Sequence, residues 1–328
     1  MRLPVVLVLV LASLSFVRPA RAADGGIPGY ALTFQDEFDG ADVDATKWVK
    51  RYKWGEAQIN GELEAYVDDA FQLQGGVLSI VGQQRTGSYA GQTFQYTSGV
   101  LCSVHEQTYG YFEARLKVPA GQGLWPAFWL LGAVGTSGVN EIDIHEILGN
   151  EPDKVYMTVH WGTDYNAGHM SDGTSWVGPD FSADFHVFGL EWTPDAIVWT
   201  IDGVERKRHT GAGVPQVPMY VILNLAIGGT WPGPPDATTT FPAQYQIDYV
   251  RAYSALPDGG ASDGGDASVT DASSSDSGAT GTPPTTDGGG CGCRLEGEGR
   301  GTSATLSALA LALLVLRSRR RRASITRD

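Results

Sequence analysis

Apolar residues along this chain fall in short runs, and several of the runs alternate with polar residues. In "YGYFEARLKVPAG", Phe112, Ala114, Leu116 and Val118 alternate with Glu113, Arg115 and Lys117, the period-two signature of a strand buried on one face. Comparable runs, "GGVLSIVG", "VYMTVHWG", "FHVFGLEWTPDAIVWTIDG" and "QIDYVRAYS", recur between Gly, Pro, Asn and Asp, and long amphipathic helical patterns are missing. The pattern predicts an all-β fold, a two-sheet antiparallel jelly-roll sandwich of the concanavalin-like kind. Within it, "TPDAIVWTIDGVERKR" reads as a hairpin, with a strand to Ile201, a turn at Asp202 and Gly203, and a second strand.

Both ends of the 328 residues break this pattern. Arg2 precedes an apolar run from Leu3 to Val17, followed by the small-x-small triplet Ala20, Arg21 and Ala22, so residues 1–22 read as a secretory signal peptide. The run falls short of the roughly 20 residues that a membrane span needs. Residues 23–255 carry the strand pattern, a length suited to one domain. Residues 256–290 are rich in Asp, Gly, Ser and Thr, and Pro257 to Gly290 contains no aromatic residue, Lys or Arg. That stretch is expected to be a disordered acidic spacer. Residues 291–328 hold Cys291, Gly292 and Cys293, an apolar run from Leu306 to Leu316, and an Arg cluster from Arg317 to Arg322. This order resembles the C-terminal sorting tags of the MYXO-CTERM type, which implies lipidation and a secreted protein retained at the outer cell surface. The alternative is an ordinary weak C-terminal membrane anchor.

A formal net charge of -14 argues against a nucleic-acid partner. The chain shows no βαβ alternation, phosphate-binding glycine loop or serine nucleophile elbow. Its six His residues lack tight metal-ligand spacing. Cys102 stands alone in the domain and reads as a buried, unreactive thiol.

The candidate chemistry lies in "NEIDIHEILGN", where Glu141, Asp143 and Glu146 interrupt an apolar strand. On a regular strand Glu141 and Asp143 share a face and Glu146 points the other way. A β-bulge at Ile144 or His145 would bring all three onto one face and keep Ile142 and Ile147 in the core. Three carboxylates on one face repel, which pushes their pKa values apart and leaves one ionised and one protonated. Glycoside hydrolysis by two carboxylates requires that division; a solvated strand face or a calcium site is the alternative. Trp54, Trp125, Trp129, Trp161 and Trp231 sit in or beside Gly- and Pro-containing loops, where aromatic faces stack on sugar rings, although any single one could equally be core.

"EIDIHE" resembles the E-I-D-I-x-E signature of glycoside hydrolase family 16 in its bulged, laminarinase-like form. "FQDEFDG", "YGYFEARLKVPAGQGLWPAFWLLG", "VYMTVHWG" and "VILNLAIGGTWPGPPDATTTFPAQYQIDYVRAY" match the same family in the same order, from about Leu32 to Tyr253. The resemblance implies an endo-acting, retaining enzyme, a monomer with a concave groove for β-1,3- or mixed β-1,3/1,4-glucan polysaccharide. It assigns Glu141 as nucleophile, Glu146 as acid and base, and Asp143 as the hydrogen-bonding partner between them. Trp125 and Trp129 would floor the subsites at the cleavage point, His160 would stand near the leaving-group side, Asn60 and Glu62 would line the glucose-donor side, and Trp231 would form a groove edge. No catalytic cofactor is implied. A structural calcium would take the Asp248 side chain and the backbone carbonyls of Glu37 and Gly76. Another β-glycan such as agarose or a galactan, transglycosylation, and non-catalytic glucan binding are the other activities compatible with the resemblance. Two positions depart from the family pattern. Val100 stands where Arg is frequent, and His145 stands where Met is common, facing either the site or the core.

Overall fold

A computed structural model describes residues 26–55 and 59–257. The signal peptide, nearly all of the spacer and the C-terminal tag lie outside these residues. In chain order the strands are β1 (Tyr30–Asp36), β2 (Trp48–Val49), β3 (Glu64–Tyr66), β4 (Phe71–Gln74), β5 (Val77–Gly82), β6 (Gly87–Tyr89) and β7 (Gln92–Phe94). They continue as β8 (Tyr96–Ser98), β9 (Val100–Gln107), β10 (Gly110–Lys117), β11 (Leu124–Gly132), β12 (Val139–Ile147), β13 (Lys154–Asp164) and β14 (Ala167–Val177). The last are β15 (His186–Trp192), β16 (Ala196–Ile201), β17 (Val204–Thr210), β18 (Met219–Ile227) and β19 (Ala243–Ala255). No helix occurs among the described residues.

Two antiparallel sheets form the sandwich. One runs β17-β16-β15-β10-β19-β5-β4, with β1 also paired to β19, and the other runs β14-β13-β12-β11-β18-β9-β2. The predicted alternation is realised in β10, where Phe112, Ala114 and Leu116 are buried and Glu113, Arg115 and Lys117 are half-buried. The predicted hairpin closes at Asp202 (φ 52°) and Gly203 (φ 75°), the left-handed pair that a two-residue hairpin turn requires.

The main core lies between the sheets and includes Phe112, Leu190 and Ile247 from one and Phe128, Ile142 and Leu223 from the other. Each such side chain, fully buried, contributes about 1.5–3 kcal/mol. β18 is buried at every position from Met219 to Ile227, because its second face is covered as well. Two smaller apolar clusters lie there. One holds Tyr52, Ile59, Trp129 and Ile222, and the other holds Trp125, Leu148 and Ala226 with Trp231 against them. Val100 is wholly buried in the first, so an apolar contact stands where an Arg would need a polar partner. Cys102 is also wholly buried, and burial pushes its thiol up to about 12, as expected of an inert thiol.

Candidate active site

The acids are brought together by the predicted bulge. Against β11, His145 pairs with Phe128 and Asp143 with Trp129, so Ile144 has no partner. Against β13, Asp143 pairs with Thr158 and Glu146 with Tyr156. Two successive residues, Ile144 and His145, therefore turn into the core with Ile142 and Ile147. Glu141, Asp143 and Glu146 all line a groove on the other face. His145 is the core-facing residue of the two possibilities left open above. Its Nε2 lies 2.7 Å from the Tyr245 hydroxyl, its ring packs against Phe188, and burial lowers its pKa to about 3. A neutral imidazole in that position carries no charge to the site.

The groove sets the two glutamates apart. Burial, and then the neighbouring Asp143, raise Glu141 to about 7 and Glu146 well above the usual carboxylate range. Each has one side-chain donor and feels His160, but Glu146 also feels the charge of Glu141, so Glu141 ionises first. The Tyr165 hydroxyl donates to its Oε2 at 2.6 Å, and His160 Nε2 lies 3.7 Å from its Oε1. Glu146 has Trp125 Nε1 as donor to Oε1, at 3.1 Å. His160 Nε2 is also 3.1 Å from Asp143 Oδ2, an ion pair when the ring is protonated. Burial alone would lower His160, but Asp143, Glu141 and Glu146 outweigh it and push the ring up to about 9. A cationic His160 thus offsets part of the carboxylate repulsion at neutral pH.

Trp125 and Trp129, one from each aromatic cluster, line the groove, and Trp231 and Trp54 pack beside them without being among the lining residues. On one side the Trp125 ring meets Trp231 edge-on at 5.3 Å, and Trp231 meets Tyr156 at 4.7 Å. On the other, Trp54 stacks on Tyr52 at 4.1 Å and stands 6.2 Å from Trp129. Asn60 and Glu62 line the groove with Trp125 and Trp129. Asn60 Nδ2 donates to Glu62 Oε1 at 3.2 Å, and a relay runs on from Glu62 Oε2 through the Tyr66 hydroxyl to Asn224, which accepts from Trp129 Nε1 at 2.9 Å. Burial and then Glu64 raise the pKa of Glu62 well above the usual range. Trp161 packs against the main core and beside His209, and is not among the groove-lining residues.

The triad of Glu141, Asp143 and His160 has potential metal-donor atoms within 4.8 Å of one another. The positions expected to hold calcium are elsewhere. Asp36 pairs with Val250 and Leu78 with Ile247, so Glu37, Gly76 and Asp248 come together around one stretch of β19. Their carbonyl and carboxylate oxygens suit a hard cation, although Asp248 Oδ2 already accepts from Arg115 Nη1 at 2.9 Å.

Several site residues escaped the sequence reading. Asn224 left a signal, a polar residue inside the apolar run "VILNLAI", and Glu64 and Tyr66 repeat the face of Glu62 in "NGELEAY". Tyr165 and His169 left none, being ordinary polar residues of a hairpin.

Residues 62–251 match the model of Glycosyl hydrolases family 16. The chain is 35% identical to the Beta-glucanase of Rhodothermus marinus, over 69% of this chain and 86% of that one. It is also 35% identical to the Endo-1,3-1,4-beta-glycanase EglC of Rhizobium meliloti (strain 1021), over 68% of this chain, and spans about half of that relative, 51%. The X-ray structure of endo-beta-1,3-glucanase from Pyrococcus furiosus is similar with a TM-score of 0.61 and 38% identity, covering 69% of this chain and 95% of that one. With that family model matched over residues 62–251, which include the bulged strand, the chain belongs to glycosyl hydrolase family 16 and is a glycosidase.

Proposed function

We propose that this glycosidase cuts β-1,3- or mixed β-1,3/1,4-glucan internally, with retention, by double displacement. The observation that carries the mechanism is the placement of Glu141 and Glu146 in one groove on opposite sides of Asp143, with Glu146 holding its proton more tightly. Glu141 attacks the anomeric carbon while Glu146 protonates the departing oxygen, giving a glycosyl ester on Glu141. Glu146, now a carboxylate, takes a proton from water as the water displaces Glu141. Asp143 and His160 hold the charge balance of the nucleophile through both steps. Trp125, Trp129 and Trp231 offer stacking surfaces, and Asn60 and Glu62 offer hydrogen bonds for sugar hydroxyls.

The glucanase activities named for the similar proteins support a glucan substrate. Sizing and anomer analysis of products from laminarin, lichenan and agarose test it: cleavage of neither glucan removes the substrate assignment, and inversion removes the mechanism. Glu141→Ala is expected to bind glucan oligomers and lose turnover by several orders of magnitude; full activity would favour another nucleophile. Secretion and retention at the outer surface rest on the sequence at the two ends. Detergent extraction with mass analysis of the C-terminal peptide tests them, and an unlipidated soluble chain ending at Asp328 would remove the anchor. A structural calcium at Asp248, Glu37 and Gly76 and a monomeric state complete the proposal.

A further inference from the structure

The hairpin between β13 and β14 folds one residue back over the nucleophile. Asp164, Asn166, Ala167 and Gly168 are exposed, whereas Tyr165 is half-buried and turned inward. The turn is braced by Asn166 N donating to Asp164 Oδ1 at 2.8 Å and by Thr163 Oγ1 donating to the Ala167 carbonyl at 2.8 Å. The Tyr165 hydroxyl then reaches Glu141 Oε2 at 2.6 Å, within the range of a charge-assisted O–H···O⁻ bond. From the same hairpin His169 Nε2 stands 2.9 Å from His160 Nδ1. The His169 ring lies parallel to that of His160 at 5.0 Å, and 5.6 Å from the ring of Tyr165. The hairpin thus holds both Tyr165 and His160 against the nucleophile.

We infer that Tyr165 is a positioning residue that makes Glu141 a better leaving group in the second half of the double displacement. The inference rests on the function proposed above. Because Tyr165 occupies Oε2, Glu141 attacks with Oε1. When the C1–Oε1 bond forms and the bond to the departing oxygen breaks, Glu141 loses its negative charge and the tyrosine bond weakens. When water attacks C1, the C1–Oε1 bond breaks and the electron pair returns to Glu141, so the tyrosine bond strengthens as the transition state is reached. Tyr165 therefore opposes the first step slightly and favours the second, and it transfers no proton. The bond also favours the ionised Glu141 against burial and the neighbouring Asp143, alongside cationic His160; Glu146, His169 and Tyr220 complete the titratable groups around it.

The test is Tyr165→Phe with a dinitrophenyl glycoside of an oligosaccharide the wild-type enzyme cleaves, a leaving group that makes the first step fast. Loss of a hydrogen bond to a charged group is expected to slow the second step about tenfold. A stopped-flow burst of one dinitrophenolate per active site should then appear, and kcat and KM should fall together with kcat/KM little changed. Intact mass should show the glycosyl-enzyme accumulating, and the acid limb of kcat/KM should move to higher pH. A hydroxyl that merely ties down the hairpin predicts the opposite: kcat/KM falls with kcat, no intermediate accumulates, and the inference is overturned. Melting temperature identifies loss of fold, and burst size measured against titrated active sites remains readable in a partly unfolded sample. The anomer released by the wild-type enzyme separates the two levels. Inversion refutes double displacement itself, whereas retention without a burst in the variant refutes only the role of Tyr165.

Discussion

Replacing His145 by Met isolates a titration that folding suppresses. In the folded protein the ring is wholly buried and its pKa falls from 6.5 to about 3. Nε2 meets the Tyr245 hydroxyl at 2.7 Å, and Nδ1 has no hydrogen-bond partner among the described residues. Below pH 6.5 the unfolded chain takes up a proton that the folded chain refuses, so falling pH favours unfolding until about pH 3. At pH 5 the difference is 2.303RT multiplied by about 1.5, or about 2 kcal/mol, against about 0.2 kcal/mol at pH 7. His145→Met removes this dependence but strands the Tyr245 hydroxyl, a pH-independent loss of about 1–3 kcal/mol. The variant should therefore be less stable than wild type at pH 7 and close most of that gap by pH 5. His145→Met combined with Tyr245→Phe should show the flatter pH dependence without the stranded hydroxyl. Urea unfolding at intervals from pH 7 to pH 5 reads the difference, in which the other titrating groups cancel. Parallel pH dependences for wild type and variant would refute the buried neutral histidine.

Glu146→Gln should abolish cleavage of polymeric substrate, keep partial activity on glycosides with activated leaving groups, and lose the basic limb of the pH profile; retention of that limb would assign it to another group. Trp125→Phe removes the donor 3.1 Å from Glu146 Oε1, so the carboxyl should hold its proton to higher pH and the basic limb of kcat/KM should move upward, with an unmoved limb counting against this contact. Gly203→Ala places a side chain at φ 75° and should lower stability by about 1 kcal/mol in chemical denaturation; no change would mean the turn tolerates another conformation. Calcium should raise the melting temperature of the chelator-treated protein and lose that effect in Asp248→Asn, whereas an unchanged melting curve would remove the calcium assignment.

Much of the fold was legible locally. Alternation in "FEARLKV" marked a strand and its inward face, and Asp202–Gly203 marked a hairpin, because side-chain direction and left-handed backbone are properties of a few adjacent residues. Even the bulge at Ile144 and His145 could be read, since the isoleucines and acids of "EIDIHE" can each reach their own environment only if one extra residue resets the alternation. The direction of His145 could not be read: a bulge residue has no fixed face, and Phe128, Phe188 and Tyr245 make its pocket from three other strands.

The three clustered acids could thus be picked out in the chain, but the electrostatic inequality of Glu141 and Glu146 was a product of assembly. Glu141 and Glu146 have the same chemistry and lie on the same strand. Their surroundings differ because β11 brings Trp125 to one and the β13–β14 hairpin brings Tyr165 to the other, while His160 acts on both. Trp161, one motif residue among several aromatics, went to the core side for the same reason. Strand pairing and hairpin length decide which distant side chain meets a given carboxylate, and neither quantity is carried by the residues flanking it.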